Sequence, residues 1–160
     1  MLVSVIIPTF NSEIYLDRAF NSVLKQSYKE FEIILIDDCS TDNTRVVIEA
    51  YAKKHGEKVR YRFLKQNGGP AVARNVDLAM AKGHYISFLD SDDEWVADKI
   101  EKQIKLLEEN PKVTIAGCAR QTCNPDGVLE AEKITAPEIM EDGWLRLLTS
   151  TFISTPSVVI

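Results

Sequence analysis

Tyr85-Ile86-Ser87-Phe88-Leu89-Asp90-Ser91-Asp92-Asp93-Glu94-Trp95 decides the reading of the chain, because an apolar run ends there abruptly in acids. Tyr85 to Leu89 are aromatic, β-branched, apolar or small, the composition of a strand covered on both faces. Four acids then fall within five positions, Asp90 to Glu94, and their mutual repulsion is costly unless solvent or a cation relieves it. In an open α/β sheet, ligands bind outside the carboxyl ends of the strands, so these acids stand where a ligand is expected. The pair Asp90 and Asp92, in an Asp-x-Asp pattern, offers oxygen ligands of the kind Mg²⁺ or Mn²⁺ takes when it carries a diphosphate. The structural alternative is a solvated acidic turn that caps the next helix.

Outward from that stretch, strand and helix patterns alternate. Val3 to Ile7 read as a buried strand stopped at Pro8, and Leu16, Ala19, Phe20, Val23 and Leu24 follow at helical spacing, with Asn11 or Ser12 as the expected cap. Phe31 to Ile36 is a second strand, and a helix carrying Val47, Ile48 and Tyr51 ends near Gly56. Val59 to Leu64 alternates apolar and charged residues, as a strand near an edge does. Asn67-Gly68-Gly69-Pro70 is a turn that opens a third helix with Val72, Val76, Ala79 and Met80 on one face. After the acidic stretch a fourth helix places Ile100, Ile104 and Leu107 inward and ends at Asn110-Pro111. Val113 to Cys123 reads as another strand, Pro137 to Ser150 as a helix, and Phe152 to Ile160 as the start of an apolar strand. The alternation predicts a doubly wound, mostly parallel α/β sheet in one domain covering residues 1–160.

In such a sheet the loops after the first, second and fourth strands share an edge. Pro8, Thr9 and Asn11, then Asp37 and Asp38, then Asp90, Ser91 and Asp92 are thereby expected to converge. The first strand-to-helix turn lacks the G-x-G-x-x-G of dinucleotide folds, and no G-x-x-x-x-G-K-[ST] occurs. A diphosphate held here would be neutralised by a cation rather than by a glycine cradle.

The totals exclude several classes. With 19 Lys and Arg against 24 Asp and Glu, the net charge of −5 disfavours nucleic-acid binding, which depends on basic surface. The three cysteines, Cys39, Cys118 and Cys123, form neither a disulfide framework nor a zinc knuckle, so a reducing cytosol is the simplest home. No apolar run approaches a membrane span, and with the first strand beginning at Val3 no signal peptide is expected.

Four segments in order carry a family resemblance: Val3-Ser4-Val5-Ile6-Ile7-Pro8-Thr9-Phe10-Asn11, Phe31-Glu32-Ile33-Ile34-Leu35-Ile36-Asp37-Asp38-Cys39-Ser40-Thr41-Asp42, Asn67-Gly68-Gly69-Pro70-Ala71-Val72-Ala73-Arg74-Asn75 and Phe88-Leu89-Asp90-Ser91-Asp92-Asp93. Together they resemble the donor-binding half of family 2 glycosyltransferases. The resemblance implies the GT-A fold and inverting transfer from a nucleotide-diphosphate sugar, with a UDP-sugar expected, in polysaccharide or cell-surface glycan synthesis.

By position, the resemblance makes Thr9 and Asn11 nucleoside contacts with Pro8 shaping the turn, and Asp38 the carboxylate that accepts the pyrimidine N–H. Arg74 resembles the residue facing the nucleotide phosphates or base. Asp90 is similar to the acid turned to the ribose or to metal-bound water, Asp92 is similar to the direct metal ligand, and Ser91 is expected among the nucleotide-binding residues. Asn11 and Asp42 as helix caps, Asp37 as a structural acid and Arg74 as a surface ion pair are the structural readings beside these. The family's general base is expected beyond Ile160, so transfer is expected to need chain outside this stretch. Val158, Val159 and Ile160 are expected to be underpacked and to favour homo-oligomer formation. The implied acceptor is a glycan or a lipid-linked precursor, met in the cytoplasm or at the inner face of a membrane. A noncatalytic nucleotide-sugar-binding module and a sugar-1-phosphate nucleotidyltransferase are the alternatives. The second is disfavoured by the missing Gly-rich, basic loop.

Overall fold

A computed structural model describes residues 1–122 and 155–160. Four strands, β1 (Val3–Thr9), β2 (Phe31–Asp37), β3 (Val59–Phe63) and β4 (Tyr85–Phe88), form one sheet in the order β3-β2-β1-β4 with every pair parallel. Helices α1 (Leu16–Leu24), α2 (Thr44–His55) and α3 (Pro70–Met80) are the crossovers, and α4 (Lys99–Glu109) follows β4. The expected doubly wound sheet is therefore present.

β1 and β2 are central, and their side chains are buried on both faces, which is why they read as unbroken apolar runs. In the register Val3↔Phe31, Val5↔Ile33 and Ile7↔Leu35, one face packs on Leu16, Ala19, Phe20 and Val23 of α1, Ile48 of α2, and Ile100, Ile104 and Leu107 of α4. The other face sets Ile34 and Ile36 against Ala73, Val76 and Met80 of α3. Each large apolar side chain so covered contributes about 1.5–3 kcal/mol. β3 is the edge expected from its alternation, with Arg60 and Tyr61 partly exposed.

Buried polar groups within the sheet are matched. Glu32 accepts the Ser4 hydroxyl at 2.6 Å, the Lys82 N–H at 2.7 Å and the Arg60 guanidinium at 3.0 Å. Burial works to raise the Glu32 carboxyl, but these hydrogen bonds outweigh it and hold the group below its ordinary range. A second network docks the segment 156–160. The Trp95 indole donates to the Pro156 carbonyl at 2.9 Å, Ser87 to that of Val158 at 2.7 Å, and Gln103 to those of Ala116 and Ser157 at 2.7 and 2.8 Å. The Lys99 ammonium sits over the Trp95 ring at 4.0 Å and donates to Gln103 at 2.7 Å, and burial pushes it down to about 8.

Three expectations change. Val158 and Val159 are buried, Val158 against Ile6 and Phe88, because this network carries them into the core rather than leaving them underpacked. The segment from Val113 contributes an isolated antiparallel bridge, Ala116↔Val159, instead of a strand. Helix α1 begins after Tyr15 with no side-chain cap, since Ser12 serves it through its carbonyl and Asn11 is engaged elsewhere. The expected helix at 137–150 lies outside the described residues, as does Phe152.

Gly83 ties α3 to β1: its N–H donates to the Ser4 hydroxyl at 2.8 Å, and a Cβ there would stand 2.4 Å from the Ser4 nitrogen. Gly83→Ala is expected to cost about 1–3 kcal/mol by overpacking, read as a lower denaturant midpoint with an unchanged slope. An unchanged midpoint would show that β1 and the α3–β4 link are not in this tight contact.

Candidate functional site

The reversal of strand order between β1 and β4 opens a crevice at the carboxyl edge. A concavity of about 450 Å³ lies there, lined by Pro8, Thr9, Phe10, Asp38, Asn67, Gly69, Pro70, Arg74, Asp90, Ser91 and Asp92. It thus gathers Pro8, Thr9, Asp38, Arg74, Asp90, Ser91 and Asp92, every residue expected from the sequence to converge there except Asn11 and Asp37. A second concavity of about 510 Å³ lies at the amino edge, where Lys29, Lys58, Arg60 and Lys82 are offset by Glu30, Glu32 and Glu57. That mixed lining carries no comparable bias toward one ligand charge.

Hydrogen bonds stitch the edge loops together. Asn11 has a positive φ of 48°, donates its N–H to Ser40 at 2.9 Å and accepts the Thr41 N–H at 2.9 Å through its carboxamide. Its side chain therefore joins the first loop to the second instead of facing the crevice. Cys39 also has a positive φ, 65°, a conformation costly for a residue with a Cβ and found where surrounding structure imposes it. Asp37 is buried against Arg45 at 2.8 Å, which makes it a structural acid. Asp42, the residue before the Asn43 N-cap, accepts the Thr44 N–H at the start of α2 and the Glu13 N–H of the first loop, so it serves the helix start and also ties the two loops. Ser12 and Ser91 share a hydroxyl contact at 2.7 Å, and Arg18 donates to the Asp92 carbonyl at 2.6 Å, so the first loop and α1 also fix the acidic loop.

Asp38 is nearly enclosed and accepts the Gly68 N–H at 2.8 Å and the Gly69 N–H at 2.7 Å, one on each carboxylate oxygen. Gly69 has a φ of 83°, which a side chain would strain. Each oxygen keeps a further lone pair for a ligand donor. The loop after β3 is a wall of the crevice; the sequence marks it as a turn and as part of the family resemblance but gives Gly68 and Gly69 no role, although two adjacent glycines that let backbone N–H groups approach a carboxylate were the signal.

Arg74 pairs with Asp90 at 2.6 Å, both partly buried. Asp92 is exposed at the rim, and Asp93 is pushed up by burial and then by Asp92 and Asp90. Among the described residues no three ligating side chains gather into a cage. Mg²⁺ and Mn²⁺ bound with a nucleotide take one or two carboxylates and complete their shell with phosphate oxygens and water, so the Asp90/Asp92 pair fits that chemistry. One turn along α3 from Arg74, Asp77 is fully buried, and neither of its carboxylate oxygens has a partner. Nothing in the sequence pattern singled it out.

Residues 4–157 match the family model described as Glycosyl transferase family 2. The chain belongs to glycosyl transferase family 2. It is 40% identical over 109 residues to the UDP-Glc:alpha-D-GlcNAc-diphosphoundecaprenol beta-1,3-glucosyltransferase WfgD of Escherichia coli, covering 68% of this chain and 42% of WfgD. The crystal structure of Staphylococcus aureus TarS 1–349 in complex with UDP-GlcNAc is similar with a TM-score of 0.72 and 35% identity, over 80% of this chain and 37% of that one. The mannosyltransferase PcManGT of Pyrobaculum calidifontis, in complex with GDP-Man and Mn²⁺, is similar with a TM-score of 0.69 and 26% identity, over 74% and 35% of the two chains. The fold of this family 2 chain is GT-A. It spans less than half the length of these relatives. Among its described residues no helix is long and apolar enough to cross a membrane.

Asp38→Ala in this family 2 domain would remove the carboxylate partner of the exposed Gly68 N–H and the half-buried Gly69 N–H, each an ordinary hydrogen bond contributing about 0.5–1.5 kcal/mol. The variant is expected to lose stability in urea and to speed amide exchange at Gly68 and Gly69, whereas exchange in β1 and β2 tracks only the global change. Wild-type exchange at both glycines would contradict the assigned contacts.

Proposed function

We propose that the crevice binds a UDP-sugar with a divalent cation, and that the whole protein transfers the sugar with inversion to a hydroxyl of a cell-surface glycan or its lipid-linked precursor. The observation that carries the reading is the meeting of Asp38, Arg74, Asp90 and Asp92 around one crevice at the strand-order reversal. The TarS complex with UDP-GlcNAc supports a uridine donor, the PcManGT complex supports a cation, and WfgD, by its name, acts on a diphosphoundecaprenol-linked sugar.

Each residue has a role that its chemistry allows. Phe10 is half exposed in the crevice beside Pro8 and Thr9, and its ring offers a face on which a base stacks. Asp38, held rigid by two backbone donors, accepts an N–H of the base. Arg74 brings a guanidinium to the diphosphate, and Asp92, with Asp90 beside it, holds the cation. A cation held there by Asp92 and Asp90 would supply charge neutralisation to the diphosphate, the leaving group of the transfer. Inversion requires one in-line displacement, with a general base taking the proton of the acceptor hydroxyl. Asp38 and Asp90 are already engaged, so the base is assigned outside the described residues.

UDP is expected to raise the melting temperature strongly with Mn²⁺ and little with EDTA, because a ligand of the native state alone stabilises it by about 2.7 kcal/mol at a hundred times Kd. Asp92→Asn should remove most of the Mn²⁺-dependent increment. UDP stabilisation of equal size with and without metal would overturn the cation reading, and its absence under both conditions would overturn the donor reading.

A further inference from the structure

Arg74 stands between two carboxylates and is bonded to one. Its terminal nitrogen meets Asp90 at 2.6 Å, while its Nε is buried and has no partner. Three residues on, Asp77 is fully buried and both of its carboxylate oxygens lack partners. Residues at i and i+3 of a helix lie on one face, so the orphaned Nε–H and the orphaned carboxyl belong to the same side of α3. Buried polar groups in native proteins are nearly always satisfied, so two orphaned neighbours of opposite polarity call for an explanation, and a bond made in another state is one that uses both.

That state is donor binding, in an inference that rests on the proposed donor site. The cation and diphosphate compete with Arg74 for Asp90, and the guanidinium, turning toward the ligand, must keep a partner for its inner edge. We propose that Asp77 is a positioning residue that takes up the inner edge of the Arg74 guanidinium when the donor and its cation engage Asp90.

The exchange moves a proton. Burial pushes Asp77 up to about 8 against the lowering effect of Arg74, so at neutral pH it is largely protonated; on accepting the guanidinium it ionises and its proton goes to solvent. Among the described residues no other charge facing α3 takes this role. Glu32 of β2 is held by Ser4, Arg60 and Lys82, Asp37 is paired with Arg45, and Arg60 of β3 reaches the Met80 carbonyl at the far end of the helix. β1 contributes no charged side chain, and Tyr85 of β4 packs in the core on the other face.

The test is the pH dependence of UDP-GlcNAc binding with Mg²⁺, measured calorimetrically from pH 6 to 8.5 in buffers of different ionisation enthalpy. UDP-GlcNAc is used because it lacks the terminal phosphate whose second ionisation, near pH 6, would confound UDP. A folded-state carboxyl raised to about 8 and lowered by binding makes affinity rise with pH, approaching tenfold per unit between pH 6 and 7 and levelling above pH 8. Wild type is therefore expected to release close to one proton at pH 7, and both Asp77→Asn and Asp77→Ala to bind with no proton release and a flat profile. A wild-type profile as flat as that of the variants, or variants that release the same proton, would overturn the role of Asp77 while leaving the donor site standing. Failure of wild type to bind at any pH would overturn the donor site and this inference together.

Discussion

Strand β1 is hydrogen-bonded in parallel on both sides, to β2 and to β4, and every loop of the crevice hangs from that pairing. Parallel pairing needs a crossover between strands, so the carboxyl ends of β1, β2, β3 and β4 all point one way. Because the chain runs outward from β1 first through β2 and β3 and then returns to β4, α3 crosses on the face opposite α1 and α2, and the crevice opens at that reversal. The apolar core holds the strands, and the register decides which side chains reach the edge. Thr9 stands opposite Asp37, which places Asp38 one residue beyond the sheet and next to the first loop.

Polar groups at that edge are arranged so that few are idle. Asp38 is held by two glycine N–H groups, Asn11 is used up joining two loops, and Ser12 and Ser91 tie the first loop to the acidic one. This pre-organisation lowers the ordering cost that a nucleotide would otherwise meet on binding. Asp92 is the exception, exposed at the rim, and the acids around it repel one another, Asp90 and Asp92 both pushing Asp93 up. The buried Asp77 is a second departure. Its placement weakens the resting fold, as an unpaired buried acid does, and a fold keeps such a feature most readily where another state uses it.

The sheet, its helices and most of the crevice were legible because their signals are local. Val3 to Ile7 and Phe31 to Ile36 can satisfy their burial only in the middle of a parallel sheet, and the acids after Phe88 and Leu89 follow at its edge. What could not be read depended on contacts distant in sequence. The Asn11 carboxamide oxygen is engaged by Thr41, 30 residues away, so its cap role does not hold, and nothing local to Asn11 signals that contact. Val159 is buried because Ala116 and Ser87 pair with it, and no pattern within the last ten residues carries that information. Asp77 sits where the helical face is otherwise apolar, and its polarity is legible as a feature only once both orphaned partners are seen together.

The central claim is that the carboxyl-edge crevice, and no other concavity, takes the nucleotide with its cation. Anomalous diffraction from crystals grown with UDP and Mn²⁺ tests it most directly. The account predicts a manganese peak about 2.0–2.2 Å from an Asp92 carboxylate oxygen, bridged to the diphosphate, with the uracil ring between Phe10 and Asp38. Manganese bound away from Asp92, or nucleotide density in the concavity lined by Lys29, Lys58 and Arg60, would contradict it.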